Sequence, residues 1–316
     1  MKKKISSLLI VAGLSVLAFV VSCKKKDTTT NPTLSSQVQQ HNTDANNYKG
    51  ESDQADDDIN SQGGLGSTSM GERMAGIQSG PGCGVVMDTS QIANKIVYFN
   101  FDGVTPCSIP VRTRSGQIKV QLTGGTSWAD AGSVLTITYI NFKITYLITN
   151  KSLTLNGTKT LTNLNGNNWV GFIFNNVPLK YRERALGINV TFEDGSHAIW
   201  NSARTTEWDY LQSNSSIKFT SNGDTAVNSY SNVDSWGVDR YNQTFTLNYQ
   251  SPWISNSYCG FWSPTSGTVT LHVGGVDYTL TLGVDQSGNA STLNCAYGFK
   301  VTWTTSNGNG SVVFGY

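Results

Sequence analysis

Four carboxylates, Glu193, Asp194, Glu207 and Asp209, offer the pairing that glycoside hydrolysis needs, one group to protonate the leaving oxygen and one to attack or to activate water. Each also has a plainer task. Asp194 precedes Gly195 in a turn, and Glu207 stands beside Trp208 in a strand-like segment where Arg204 offers an ion pair. The three histidines, His41, His197 and His272, are widely spaced and lack a Cys or carboxylate at metal-ligand intervals. No Gly-x-Ser-x-Gly elbow, phosphate loop or dinucleotide fingerprint appears. No catalytic residue, metal or cofactor is therefore assigned. The aromatic residues carry a better functional argument: the chain has 8 Trp and 13 Tyr, and Trp253, Tyr258, Phe261 and Trp262 surround Cys259. Exposed on a sheet, they would form a stacking platform for sugar rings; turned inward, they would fill the core beside a disulfide.

The elements that must position these residues are strands. Only 14% of the 316 residues are charged, against roughly 25% in an average soluble domain, and 32 Gly punctuate short apolar runs. A formal charge of +1 points to neither nucleic acid nor an acidic partner. Beyond Cys83 the apolar period is two: Ile118, Val120 and Leu122 alternate with Lys119 and Gln121, and Phe142, Ile144, Tyr146 and Ile148 alternate with Lys143, Thr145 and Leu147. Turns are expected at Gly124-Gly125, Asn156-Gly157, Asn165-Gly166, Asp194-Gly195, Asn222-Gly223, Gly274-Gly275 and Ser306 to Gly310. The fold class is all-β: an antiparallel, hairpin-rich sheet over 83–316, closed as a β-sandwich or continued as one long rolled sheet.

Two hairpins can be registered in advance. A two-residue Gly274-Gly275 loop sets Val273 opposite Val276, Leu271 opposite Tyr278, Val269 opposite Leu280 and His272 opposite Asp277, the last an exposed cross-strand pair worth under about 1 kcal/mol. An Asp194-Gly195 loop sets Phe192 opposite His197 and Val190 opposite Ile199, with His197 covering an aromatic at a strand end. Of the three ways to pair Cys83, Cys107, Cys259 and Cys295, Cys83–Cys107 and Cys259–Cys295 are favoured, because each pair brackets a strand-turn-strand unit. Disulfides place the chain in an oxidising compartment.

The N-terminus agrees with that compartment. Lys2 to Lys4 precede a nearly unbroken apolar stretch, Ile5 to Val21, with no acidic residue, which reads as an export signal over 1–22. It ends in Val20-Val21-Ser22-Cys23, which resembles the lipobox of bacterial lipoproteins. That resemblance implies lipidation of Cys23, cleavage before it, and, with Lys24 rather than Asp following, the outer membrane, on its periplasmic or cell-surface face. From 23 to 82 the chain is rich in Asn, Gln, Ser, Thr and Asp and is expected to be a flexible tether that sets the folded domain roughly 40 Å from the membrane on root-mean-square average. Within it Val38, Ala45, Ser52 and Ile59 recur every seven residues, with His41, Tyr48 and Ala55 between them, so a helix is expected over 35–60. A solvated, partly formed helix is the plain expectation; a helix docked on the β-domain or self-associating is the other. Asp56, Asp57 and Asp58 read as a solvated acidic run.

Further motifs recur in a fixed order: Phe99 to Gly103, Val111 to Ile118, Ala131 to Val134, Gly157 to Thr160 with Asn163, and Asp194-Gly195 leading to Trp200 and Arg204 to Trp208. Together they resemble an uncharacterised group of Bacteroidota-type β-rich lipoproteins, over about three quarters of the chain. The expectation is a membrane-anchored, non-enzymatic extracytoplasmic lipoprotein with a structural, adhesion or envelope-interaction role. The alternative is a glycan-binding surface lipoprotein. Expected partners are the membrane, through the lipid anchor, and a polysaccharide or envelope protein, with no nucleic acid.

Overall fold

Alternating apolar residues, Gly-containing turns and scarce charge produce antiparallel strands, and in the computed structural model these join into one sheet. The structure describes residues 36–61, 83–107, 110–168, 171–172, 175–212, 215–260, 263–305 and 308–316. The expected export signal over 1–22, Cys23, Phe261 and Trp262 lie outside them. The chain order is a helix α1 (Ser36–Ser61), then β1 (Val85–Asp88), β2 (Ile96–Asp102), β3 (Arg112–Gly124), β4 (Val134–Tyr146), β5 (Lys151–Asn163), β6 (Leu179–Phe192), β7 (His197–Leu211), β8 (Ser216–Gly223), β9 (Thr225–Val227), β10 (Tyr230–Val238), β11 (Thr244–Asn256), β12 (Ser266–Val273), β13 (Val276–Val284), β14 (Gly298–Thr305) and β15 (Gly308–Gly315). Every ladder is antiparallel. The described strands form one continuous 15-stranded sheet.

One lane of the sheet is shared. The first half of β7 pairs with β10, Ser202 opposite Ser235, and its second half pairs with β8, Arg204 opposite Gly223. β8 and β10 therefore run end to end in a single lane, interrupted by an excursion that carries β9. β11 closes the other side of that lane, meeting both β10 and β8.

A line of register shifts crosses β3 to β7, between Ser115 and Gln117, Tyr139 and Phe142, Asn156 and Lys159, and Ala185 and Ile188. Bulges increase strand twist and bend the sheet, and a row of them in register makes a crease. Each bulge leaves backbone groups without a ladder partner, and asparagines take several of these. The Asn141 N–H donates to Asn156 Oδ1 and the Gly187 N–H to Asn201 Oδ1, both at 2.8 Å. Asn156-Gly157, expected as a turn, is one of these bulges inside β5: the asparagine caps a neighbouring strand instead of reversing its own.

Helix α1 lies along the inner side of this bend. Its 26 residues extend about 39 Å at 1.5 Å per residue. Val38, His41, Tyr48, Ser52, Ala55 and Ile59 are buried and Ala45 is half-buried, the spacing read from sequence. The solvated-helix expectation is overturned, because the seam packs on the sheet: Tyr48 lies 5.0 Å from the Trp200 ring and His41 4.8 Å from Phe245.

The Gly274-Gly275 hairpin has the register expected, pair for pair. The β6–β7 hairpin is offset by one: His197 faces Thr191 and Ile199 faces Asn189. Its loop holds three residues rather than two, since the Phe192 N–H donates to Ser196 O and the Gly195 N–H to Phe192 O. His197 is accordingly exposed and hydrogen-bonds Thr191 instead of covering Phe192. The two cystines are Cys83–Cys107 and Cys259–Cys295, with Cα atoms 4.9 Å and 5.3 Å apart.

The crease makes a specific demand at Gly116, whose φ is +87° and whose added Cβ would sit 2.1 Å from Asn141 O. Gly187, in the same crease with φ +69°, has nothing within 4 Å of an added Cβ. Gly116→Ala is expected to lower unfolding stability by more than the roughly 1–2 kcal/mol of left-handed strain alone, and Gly187→Ala by no more than that strain. Urea unfolding of both variants checks this; equal losses would remove the close approach from the explanation.

Candidate functional site

The helix holds Asp44, Glu51, Asp53, Asp56, Asp57 and Asp58 against one basic residue, Lys49. The strands around it turn cations inward at positions where a half-buried strand ordinarily places apolar residues. Asp44 accepts a forked pair of hydrogen bonds from Arg240, Nε at 2.7 Å and Nη2 at 2.8 Å. Glu51 meets Arg112 at 2.6 Å and Asp58 meets Arg114 at 2.8 Å. Asp53 pairs with Arg204, and Asp56 with Lys159 at 2.7 Å. One contact runs the other way in charge, Lys49 approaching Asp234 at 3.7 Å, and His41 Nδ1 lies 3.5 Å from Asp239. The helix is thus ion-paired from its third turn to its last.

Aromatic rings cover two of the cations, and tyrosine hydroxyls bond to the helix. Arg240 lies 3.7 Å over the Phe192 ring and Arg114 4.9 Å over Phe101. Tyr146 donates to Glu51 Oε1 at 3.3 Å, and Tyr139 to Ser52 Oγ at 3.3 Å. Burial raises the pKa of Asp44, Glu51 and Asp58 even though an arginine faces each of them. Removing these carboxylates from water costs more than their guanidinium partners return.

The densest cluster is at the crease. Lys159 Nζ is fully buried and donates to Ser52 Oγ at 2.7 Å and to Ser52 O at 3.2 Å, with Asp56 at 2.7 Å and Glu183 Oε2 at 3.5 Å. Glu183 accepts from Ser202 Oγ at 2.6 Å and from Arg204 at 2.9 Å. Burial pushes Asp56 up to about 7, with Lys159 opposing the rise and Glu183 adding to it. Burial would also raise Glu183, but Arg204 and Lys159 outweigh it and hold the carboxyl below its usual range. Asp53, Asp56 and Glu183 place one oxygen each within 4.8 Å of the others. Arg204 and Lys159 occupy that acidic group and supply its countercharge.

Beside this cluster, between α1 and the shared lane, lies a cavity of about 80 Å³ walled by Tyr48, Lys49, Trp200, Asp234, Tyr249 and Trp253. Trp253 is part of this inner wall: 7% exposed, its indole N–H donates to Ser255 Oγ at 3.0 Å. It does not share a surface with Tyr258, which is 63% exposed. The platform drawn from sequence therefore loses Trp253, because β11 pairs there with β8 and its parity turns the indole inward.

The four carboxylates singled out from sequence do not converge. Glu207 pairs with Lys180 at 3.0 Å and Asp209 with Lys218 at 2.8 Å, while Glu193 and Asp194 sit at the β6–β7 turn near Arg240. About 33 Å of strand, ten residues at ~3.3 Å each, separates His197 from Glu207, several times the carboxylate spacing of a glycosidase. Arg204 does not serve Glu207, as the sequence suggested, but points inward to Asp53 and Glu183. Asp56 and Asp58 are likewise paired inside rather than solvated. His272 meets Asp277 at 2.6 Å as expected, and in addition Asn248 at 3.1 Å and the Tyr230 ring at 3.8 Å.

No protein-family model, curated protein or solved structure matches the chain. What the site does must be read from its own geometry, and that geometry is a clasp. The signal sequence reasoning missed was in plain view: Asp44, Glu51 and Asp58 repeat every seven residues, in step with the apolar seam.

Truncating one member of a buried pair leaves the other charged and unpaired, at a cost of about 3–5 kcal/mol, whereas replacing both by apolar groups is often neutral. Glu51→Leu is expected to lower stability by about that amount, and Glu51→Leu with Arg112→Leu to recover most of the loss. Chemical denaturation of the two variants measures this. A double variant as unstable as the single one would contradict a desolvated pair at this position.

Proposed function

We propose that the protein is a lipid-anchored, extracytoplasmic structural or adhesion protein of the cell envelope, without enzymatic activity. The observation that carries this reading is the position of α1. The segment that follows the expected lipidation site at Cys23 is not a passive leash; it is clasped along its length by β3, β5, β7 and β10 and the loop before β11. Tension on the anchor would enter the sheet through several ion pairs at once.

The tether is correspondingly shorter than the sequence suggested. Twelve residues separate Cys23 from Ser36, and a chain of that length reaches at most about 45 Å. Such a link holds the β-domain close to the bilayer. Two cystines accord with an oxidising compartment; no described helix is long and apolar enough to cross a membrane, and in this reading attachment is by acyl chains at Cys23. The scattered, individually neutralised carboxylates favour the non-enzymatic reading over a hydrolase. Glycan binding would have to use surface aromatics such as Tyr258, without Trp253.

Cys23→Ser should move the protein from the membrane pellet to the soluble extracytoplasmic fraction while leaving both cystines formed. Retention of the variant in washed membranes would contradict acyl anchoring.

A further inference from the structure

The cluster around Lys159 has more than a salt bridge requires. An amine with no exposed surface touches one carboxyl at 2.7 Å and has a second carboxylate 3.5 Å away. The first carboxyl belongs to the helix and the second to β6, while the amine is on β5. We propose that Lys159 and Asp56 condense to an amide, a covalent cross-link between α1 and the sheet, with Glu183 carrying the proton.

The step balances within the site. The Lys159 ammonium passes a proton to Asp56, turning two ions into an amine and a carboxylic acid. The nitrogen lone pair forms the new C–N bond at Asp56 Cγ and gives a tetrahedral centre. Glu183 Oε2 takes the second nitrogen proton and returns it to the departing hydroxyl; the C–O bond breaks and one water leaves. Nothing is oxidised or reduced, and Glu183 ends as it began, a carboxylate held by Ser202 and Arg204.

Three features of the site favour this course over a permanent ion pair. Packing fixes the reacting groups, and well-oriented neighbours react as though at effective concentrations of about 10⁵–10⁸ M. The Tyr139 ring lies 5.8 Å from Nζ and Nζ has no exposed surface, so bulk water is kept from the amide, while the adjoining cavity lined by Ser52, Asp53 and Glu183 can take the one water released. Burial raises the pKa of the Asp56 carboxyl, which favours the acid, the form with a departing hydroxyl. The opposing influence is on Lys159. Burial disfavours its charge, but Asp56, Tyr139 and Glu183 outweigh burial and raise its pKa. The proton must therefore leave toward the same carboxyl that the nitrogen then attacks, and a contact of 2.7 Å provides that route.

The cross-link does not depend on the lipid anchor and is read differently. Proteolysis of the purified full-length protein, followed by tandem mass spectrometry, should yield a branched peptide joining the segment containing Asp56 to the segment containing Lys159, lighter by one water than the two peptides together. Glu183→Gln should retain both cystines and lose most of the branched peptide, and Lys159→Met should lose all of it. Wild-type protein that gives only the two linear peptides at full mass would overturn the proposal, whatever the variants do. Undiminished branching in Glu183→Gln would overturn the role given to Glu183. Neither result bears on whether Cys23→Ser leaves the membrane.

Discussion

An acidic helix cannot lie inside a sheet unless a cation meets each buried carboxylate. This requirement organises the molecule. Asp44, Glu51, Asp53, Asp56 and Asp58 are met by Arg240, Arg112, Arg204, Lys159 and Arg114. These cations come from three strands, β3, β5 and β7, and the turn after β10, so the sheet must curve to bring them all to one axis. The crease through β3 to β7 supplies that curvature, and the asparagines at the crease satisfy backbone groups that the curvature strands.

Such pairs add little net stability, since desolvation offsets most of the attraction; the raised pKa values of Asp44, Glu51 and Asp58 express this balance. Their stronger effect is on register. An apolar seam of Val38, Tyr48, Ala55 and Ile59 tolerates sliding and rotation of the helix, but a one-residue shift would separate every carboxylate from its guanidinium or amine. The helix is held by packing, and its position along the sheet is set by charge. A segment so placed is suited to pass tension from the proposed anchor into the sheet.

Much of this was legible in the sequence, and the failures share a cause. Period-two alternation placed β3 and β4, the Gly274-Gly275 loop gave a full register, and the seven-residue recurrence from Val38 to Ile59 marked the buried face of α1. What sequence could not supply was the partner of each charge. Arg204 was matched to nearby Glu207, yet its partners are Glu183 and Asp53, the latter 151 positions away. Asp56 and Asp58 looked solvated because a run of acids has no local neutraliser. Inward parity was the available clue: Lys159 lies on the face that buries Leu153, Leu155 and Leu161, where a lysine needs a buried partner. The β6–β7 hairpin slipped by one because the Asp194 carboxylate caps the Ser196 N–H and stabilises a three-residue loop. Trp253 was read as a neighbour of Tyr258 from sequence proximity, whereas β8 pairing turned it toward the cavity.

Hydrogen exchange of the intact protein, followed residue by residue, tests the clasp most directly. Amides of α1 from about Asp44 to Asp58 should be protected as strongly as those of β4 and β5, and should open only with the sheet, because the helix cannot leave without unpairing its carboxylates. Exchange of these amides at the rate of a free peptide, beneath a fully protected sheet, would contradict the account.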